Sequence, residues 1–139
     1  MFNFHSTANL IFGSETAIDS TDQIVNLLGK NIFVITDEGL TELGLYDQTI
    51  KKLQSFANIN IFNKVESDPS KSTLLKAFGD ATDFKTTGVL GFGGGSSMDV
   101  AKLVSLLLGS NQNIDTIWGV NNAKGPRIPL VLMLSLIHI

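Results

Sequence analysis

The segment Gly91-Phe92-Gly93-Gly94-Gly95-Ser96-Ser97-Met98-Asp99-Val100-Ala101-Lys102 joins three consecutive glycines to two hydroxyls and a carboxylate. Its apolar start reads as a strand, and the apolar residues 103–108 after it read as a helix. Glycine leaves no side chain between backbone and ligand and adopts angles closed to other residues. A helix that begins where the glycines end offers unpaired N–H groups and the positive end of its dipole. A diphosphate on the loop 93–97 would meet donors and favourable charge together. An ordinary strand-to-helix turn with a serine cap needs one or two glycines, hardly three followed by Ser-Ser.

Ser96 and Ser97 are expected to cap this helix and Gly109 to end it. Asp99 then has two readings that the sequence leaves open: a capping box with Ser96, or a place in the ligand pocket. Lys102 reads as a solvated residue paired with Asp99. Asp37 closes the apolar stretch 31–36, where a carboxylate at a strand end can hydrogen-bond an adenosine ribose. The competing reading is a turn or helix-cap aspartate before Glu38-Gly39, and the presence of the glycine loop in the chain tips the choice to the ribose. Asp68-Pro69 follows the stretch 58–63, but Asp before Pro is also common turn chemistry. His5 and His138 lie at opposite ends of the chain without acidic or His neighbours at ligand spacing, so both read as structural.

Strand candidates at 10–12, 31–36, 58–63, 88–92 and 129–133 must position these groups. Between them run helical stripes: Ile18, Ile24, Val25 and Leu28; Tyr46, Ile50 and Leu53; Leu74, Leu75, Phe78 and Ala81. Strands apolar almost throughout suit a parallel sheet covered on both faces. The alternation therefore predicts an α/β fold with a doubly wound, mostly parallel sheet. Ligands of such sheets bind at the carboxyl ends of the strands, near the point where the winding reverses.

Bulk composition narrows the function classes. A chain of 139 residues fits one domain, and 43% hydrophobic against 17% charged residues excludes a disordered chain. A net charge of -3 with scattered Lys and Arg leaves no footprint for nucleic acid. The absence of Cys removes disulfides, thiolate nucleophiles and Cys-ligated zinc, which fits the cytoplasm. The start, Met1-Phe2-Asn3-Phe4-His5, has no signal-peptide pattern, and no apolar run is long enough for a membrane span.

Gly93-Gly94-Gly95-Ser96 with Asp99, Ala101 and Lys102 resembles the nucleotide-binding signature of the iron-type (group III) alcohol dehydrogenases. Phe12-Gly13, Val34-Ile35-Thr36-Asp37, Asp68-Pro69 and Arg127-Ile128-Pro129 follow in the family's order. Ser96 and the Ala101-Lys102 ending are closer to this branch than to glycerol dehydrogenases or dehydroquinate synthases. The resemblance implies a Rossmann-like, dehydroquinate synthase-like N-terminal domain with helices on both faces of its sheet. It implies NAD, with NADP less favoured, held by Gly94, Gly95, Ser96, Ser97 and Met98 at the pyrophosphate. Asp37 would meet the ribose, Asp68 would lie near the cofactor and Asp99 would approach the nicotinamide side.

Family members resemble one another in a second, helical domain, where an Asp and three His hold Fe2+ or Zn2+ and the alcohol or aldehyde substrate binds the metal. Nothing of that kind stands in this sequence, so the chain alone is expected to bind no metal and to be inactive. Full-length relatives are expected to be homo-oligomers. The likeness of motifs runs through Met133 and stops at Leu134. Residues 1–133 thus read as the dinucleotide-binding domain and 134–139 as a tail foreign to the family, from a truncated or chimeric reading frame. A non-catalytic nucleotide-binding module is the alternative from another class. An enzyme acting on a small phosphorylated substrate lacks any nucleophile, base or metal cluster in this sequence.

Overall fold

The structure, a computed structural model, describes residues 21–41, 44–110, 113, 115 and 126–134. The strand expected at 10–12, Ile18, both histidines and the residues after Leu134 lie outside that range. Nine elements are described: α1 (Thr21–Leu28), β1 (Asn31–Ile35), α2 (Glu38–Thr41), α3 (Gly44–Gln54), β2 (Asn58–Phe62), α4 (Lys71–Asp83), β3 (Gly88–Gly93), α5 (Gly95–Ser110) and β4 (Leu130–Leu134).

The four strands form one parallel sheet in the order β2-β1-β3-β4. Four residues of β1 and all six of β3 are buried, as inner strands with helices on both faces must be. Their side chains alternate between two cores. Ile32, Val34, Leu90 and Phe92 meet Ile24 and Leu28 of α1 and Tyr46, Ile50 and Leu53 of α3. Phe33, Ile35 and Val89 meet Leu74, Ala77 and Ala81 of α4 and Val100, Ala101 and Val104 of α5. Of the stripe read on α4, Leu75 is instead exposed, and Ala77 takes the inward position beside Leu74 and Ala81.

Glycine at two positions lets elements approach closely. A Cβ on Gly91 would stand 2.7 Å from the Ala101 Cβ and 2.9 Å from Leu132 Cδ2, so α5 lies tight against β3 only because both residues are minimal. Gly109 does not end α5, which runs to Ser110; a Cβ there would stand 2.6 Å from the Arg127 Cα. The strand that follows is stitched to the same helix, because the Ser105 hydroxyl donates to the Ile128 carbonyl at 2.7 Å and the Ile128 N–H to the Ser105 carbonyl at 3.2 Å. This places β4 beside β3 in the register Val89↔Leu130 to Gly93↔Leu134, one residue past the boundary expected at Met133.

Candidate functional site

The chain leaves β1 toward β2 on one side and returns to β3 on the other, so the winding reverses between β1 and β3. The carboxyl ends of these neighbours, paired as far as Ile35↔Gly91, carry Thr36-Asp37 and Gly93-Gly94 side by side. This is where doubly wound sheets open a ligand crevice.

Asp37 and Gly93 face each other there. Gly93 has φ 139°, a conformation that L side chains rarely adopt. A Cβ on it would stand 3.2 Å from Asp37 Oδ2, 3.4 Å from Leu40 Cδ2 and 3.5 Å from Ser97 Oγ. The other Asp37 oxygen, Oδ1, accepts the Leu40 N–H at 2.8 Å and so caps α2. The helix-cap reading of Asp37 is thus realised through Oδ1, while Oδ2 stands beside Gly93.

Gly94 and Gly95 differ from Gly93. Neither has a positive φ, and a Cβ on either meets no other atom of the described residues within 4 Å. The fold itself gives no steric reason for glycine at these two positions. α5 starts at Gly95, and the Gly94 carbonyl accepts the Met98 N–H at 3.1 Å. Ser96 and Ser97 thus sit inside the first turn rather than at the cap, and no Ser96–Asp99 capping box forms. The glycines supply the entry into the helix, and in any α-helix the first-turn N–H groups have no intrahelical acceptor.

The Ser97 side chain is 1% exposed, and its hydroxyl has no hydrogen-bond partner among the described residues. Thr36 Oγ1, buried at the end of β1, is in the same condition. A buried polar group without a partner costs about 1–3 kcal/mol, so such groups point to something that completes them. Asp99 lies on the exposed side of α5, with Oδ1 3.6 Å from Lys102 Nζ, as the spacing of the two residues suggests.

A cavity of about 430 Å³ opens beside Asp37 at the carboxyl ends of β1 and β2. Asp37, Glu38 and Gly39 line one side; Asn63, Lys64 and Glu66 are among the residues lining the other. Lys64 Nζ meets Glu38 Oε1 at 2.7 Å. The Glu66 carboxyl is held below its usual range by the Thr73 hydroxyl at 2.6 Å and the Ser70 N–H at 3.0 Å, which fasten the start of α4. Asp68 is exposed with φ 50° and does not line this cavity. The structure brings Asp37, Gly93 and Ser97 together at the ends of β1 and β3, and Gly94–Met98 continue from there into the first turn of α5; none of residues 93–98 lines the cavity, Asp99 lies on the exposed side of the helix and Asp68 stands apart. Glu38 and Lys64 are not apparent from sequence because they lie 26 residues apart and only the β1–β2 pairing joins them.

Among the described residues, no group of three or more His, Cys, Asp or Glu could hold a metal ion. No helix among them is long and apolar enough to cross a membrane.

A profile of the iron-containing alcohol dehydrogenases matches residues 7–137, reaching past Leu134, where the likeness of motifs ends. The long-chain-alcohol dehydrogenase 1 of Geobacillus thermodenitrificans is 33% identical over 138 residues, covering 92% of this chain and 35% of that protein. The sulfoacetaldehyde reductase of Bilophila wadsworthia is 25% identical over 134 residues, covering 95% and 34%. An iron-containing alcohol dehydrogenase of Thermotoga maritima has the same architecture, with a TM-score of 0.79 at 27% identity over 96% of this chain and 38% of its own. A 1,3-propanediol oxidoreductase shares the fold with a TM-score of 0.86 at 22% identity, over 96% and 35%. The chain spans about a third of the length of the curated relatives it matches. It belongs to the iron-containing alcohol dehydrogenase family, of which it represents the N-terminal part.

Proposed function

We propose that this chain is the NAD-binding part of an alcohol dehydrogenase that transfers hydride between an alcohol or aldehyde and the nicotinamide. The observation that carries the reading is the contrast within the glycine run. Gly93 is required by its own backbone, whereas Gly94 and Gly95 are glycine where the fold would admit a side chain. Together with the buried, unpartnered Ser97 hydroxyl and the start of α5, they make a cradle that a diphosphate would fill.

In this reading the first-turn N–H groups of Gly95, Ser96 and Ser97 face the diphosphate beside Gly94, and Met98, whose own N–H is held by the Gly94 carbonyl, lines it as the next residue of the helix. The adenosine ribose lies over Asp37, whose Oδ2 faces the crevice. The repulsion between this carboxylate and a 2′-phosphate favours NAD over NADP. Asp99 approaches the nicotinamide end, and Asp68 lies near the cofactor from the loop before α4. Support for nicotinamide use also comes from the relatives, which include an NAD-dependent methanol dehydrogenase of Bacillus methanolicus and an NADH-dependent butanol dehydrogenase of Thermotoga maritima. A cytoplasmic location and a homo-oligomeric full-length enzyme belong to the same proposal.

When bound, the nicotinamide supplies the hydride acceptor; the chain's own groups hold it in place. The described residues do not gather the donors that a metal-dependent step would need. The 139 residues alone are therefore expected to bind NAD and to leave alcohols untouched, even with added ferrous iron or zinc. Calorimetric titration tests the reading: NAD and ADP-ribose should bind with one site per chain, and adenosine, which lacks the diphosphate, should bind far more weakly. Equal affinity for adenosine and NAD would refute a diphosphate cradle.

A further inference from the structure

The cavity beside Asp37 holds more charge than the ribose reading uses. Its acidic lining residues are Asp37, Glu38 and Glu66, and its only basic one among the described residues is Lys64. The three carboxylates are differently employed. Asp37 caps α2 through one oxygen, and Glu66 fastens the start of α4. Glu38, by contrast, reaches from the first turn of α2 across the cavity mouth to Lys64, which follows β2. β1 and β2 pair in register from Asn31↔Asn58 to Ile35↔Phe62, so this ion pair closes the gap between two adjacent strand ends.

We propose that Glu38 is a second determinant of cofactor choice, which acts by holding Lys64 in an ion pair and so withholding from a 2′-phosphate the ammonium that would receive it. The inference rests on the reading that the adenosine ribose lies over Asp37. A phosphate on that ribose would project into the same cavity, where an ammonium is the natural partner for it. The pair is open to water, with side chains 64% and 66% exposed, and exposed pairs of this kind are weak. Lys64 is therefore held loosely enough to change partners once Glu38 no longer competes. Selection against NADP then has two parts: repulsion by Asp37 at the ribose, and neutralisation of Lys64 by Glu38 at the rim. The bond to Lys64 and its charge lower the Glu38 pKa, so the carboxylate stays ionised from neutral into mildly acidic pH.

Calorimetric titrations of NAD and NADP into the wild-type chain, Glu38→Gln and the double variant Glu38→Gln/Lys64→Met separate the possibilities. Glu38→Gln should raise the NADP-to-NAD affinity ratio by roughly fivefold, the worth of one exposed charge pair. Adding Lys64→Met should cancel that gain. An unchanged ratio in Glu38→Gln overturns the inference. So does a gain that persists without Lys64, which would mean that Glu38 acts by repulsion alone. Wild-type chain that binds neither cofactor would overturn the NAD-binding reading itself, and the inference with it. All three proteins should show the same unfolding midpoint, since the pair is exposed.

Discussion

Oδ2 of Asp37 faces the Cα of Gly93 across the seam between β1 and β3, so that a methyl group on the glycine would stand 3.2 Å from the carboxylate oxygen. Gly93 admits the turn of φ 139° out of β3, and that turn leaves room for a carboxylate whose other oxygen caps α2.

Gly93→Ala should therefore destabilise the chain by about 1–3 kcal/mol, through the backbone conformation and the contact with Asp37. Gly95→Ala, with open space at the Cβ and a normal φ, should stay within about 0.5 kcal/mol of wild type. Urea unfolding of the two variants checks the contrast. Equal losses would mean that the loop conformation is set by something other than Gly93.

Asp37 serves stability and recognition through different oxygens, which substitutions can separate. Asp37→Ala loses the cap on Leu40 and should cost about 1 kcal/mol. Asp37→Asn keeps a capping oxygen at nearly full stability but removes the charge, so NADP should gain on NAD. Thermal unfolding read beside the NADP-to-NAD affinity ratio distinguishes the roles. If Asp37→Asn leaves the ratio unchanged, Asp37 is a cap alone.

Tyr46 is 4% exposed and packs edge-on against Phe92 at 5.6 Å between ring centroids. Burial, aided by the neighbouring Asp47 charge, pushes its hydroxyl up to about 12. An unfolded tyrosine ionises near 10, so Tyr46 favours the folded state fully below about pH 10, and that contribution is lost as pH rises toward 12. Tyr46→Phe should flatten this alkaline limb. Because the hydroxyl has no partner among the described residues, the change should not destabilise the chain at pH 7. A loss of stability at pH 7 would show that the hydroxyl is bonded after all.

The strands are legible in the sequence where burial on both faces leaves a continuous apolar run, as in Ile32–Ile35 and in Gly88–Gly93, and their limits differ by only a residue from those expected. What escapes is local chemistry decided by tertiary contacts. Four residues, Glu38–Thr41, carry no periodicity, and α2 forms because Asp37 caps it. Ser96 has the makings of a cap, yet Gly94 offers the carbonyl that starts α5, so the serines fall inside the first turn. Gly109 has the makings of a terminator, but it is small because the backbone at Arg127 passes against it. The cofactor residues are readable as types at a spacing. That Gly93 serves the backbone, while Gly94 and Gly95 do not, emerges only from their surroundings in the fold.

Gly94 and Gly95, in this account, keep space for a diphosphate rather than for the chain itself. Calorimetric titration of NAD into Gly95→Val, with folding verified by far-UV dichroism and an unfolding midpoint near wild type, tests this most directly. A folded variant whose NAD affinity falls at least tenfold, about 1.4 kcal/mol, is expected. A folded Gly95→Val chain that binds NAD as tightly as wild type would contradict it.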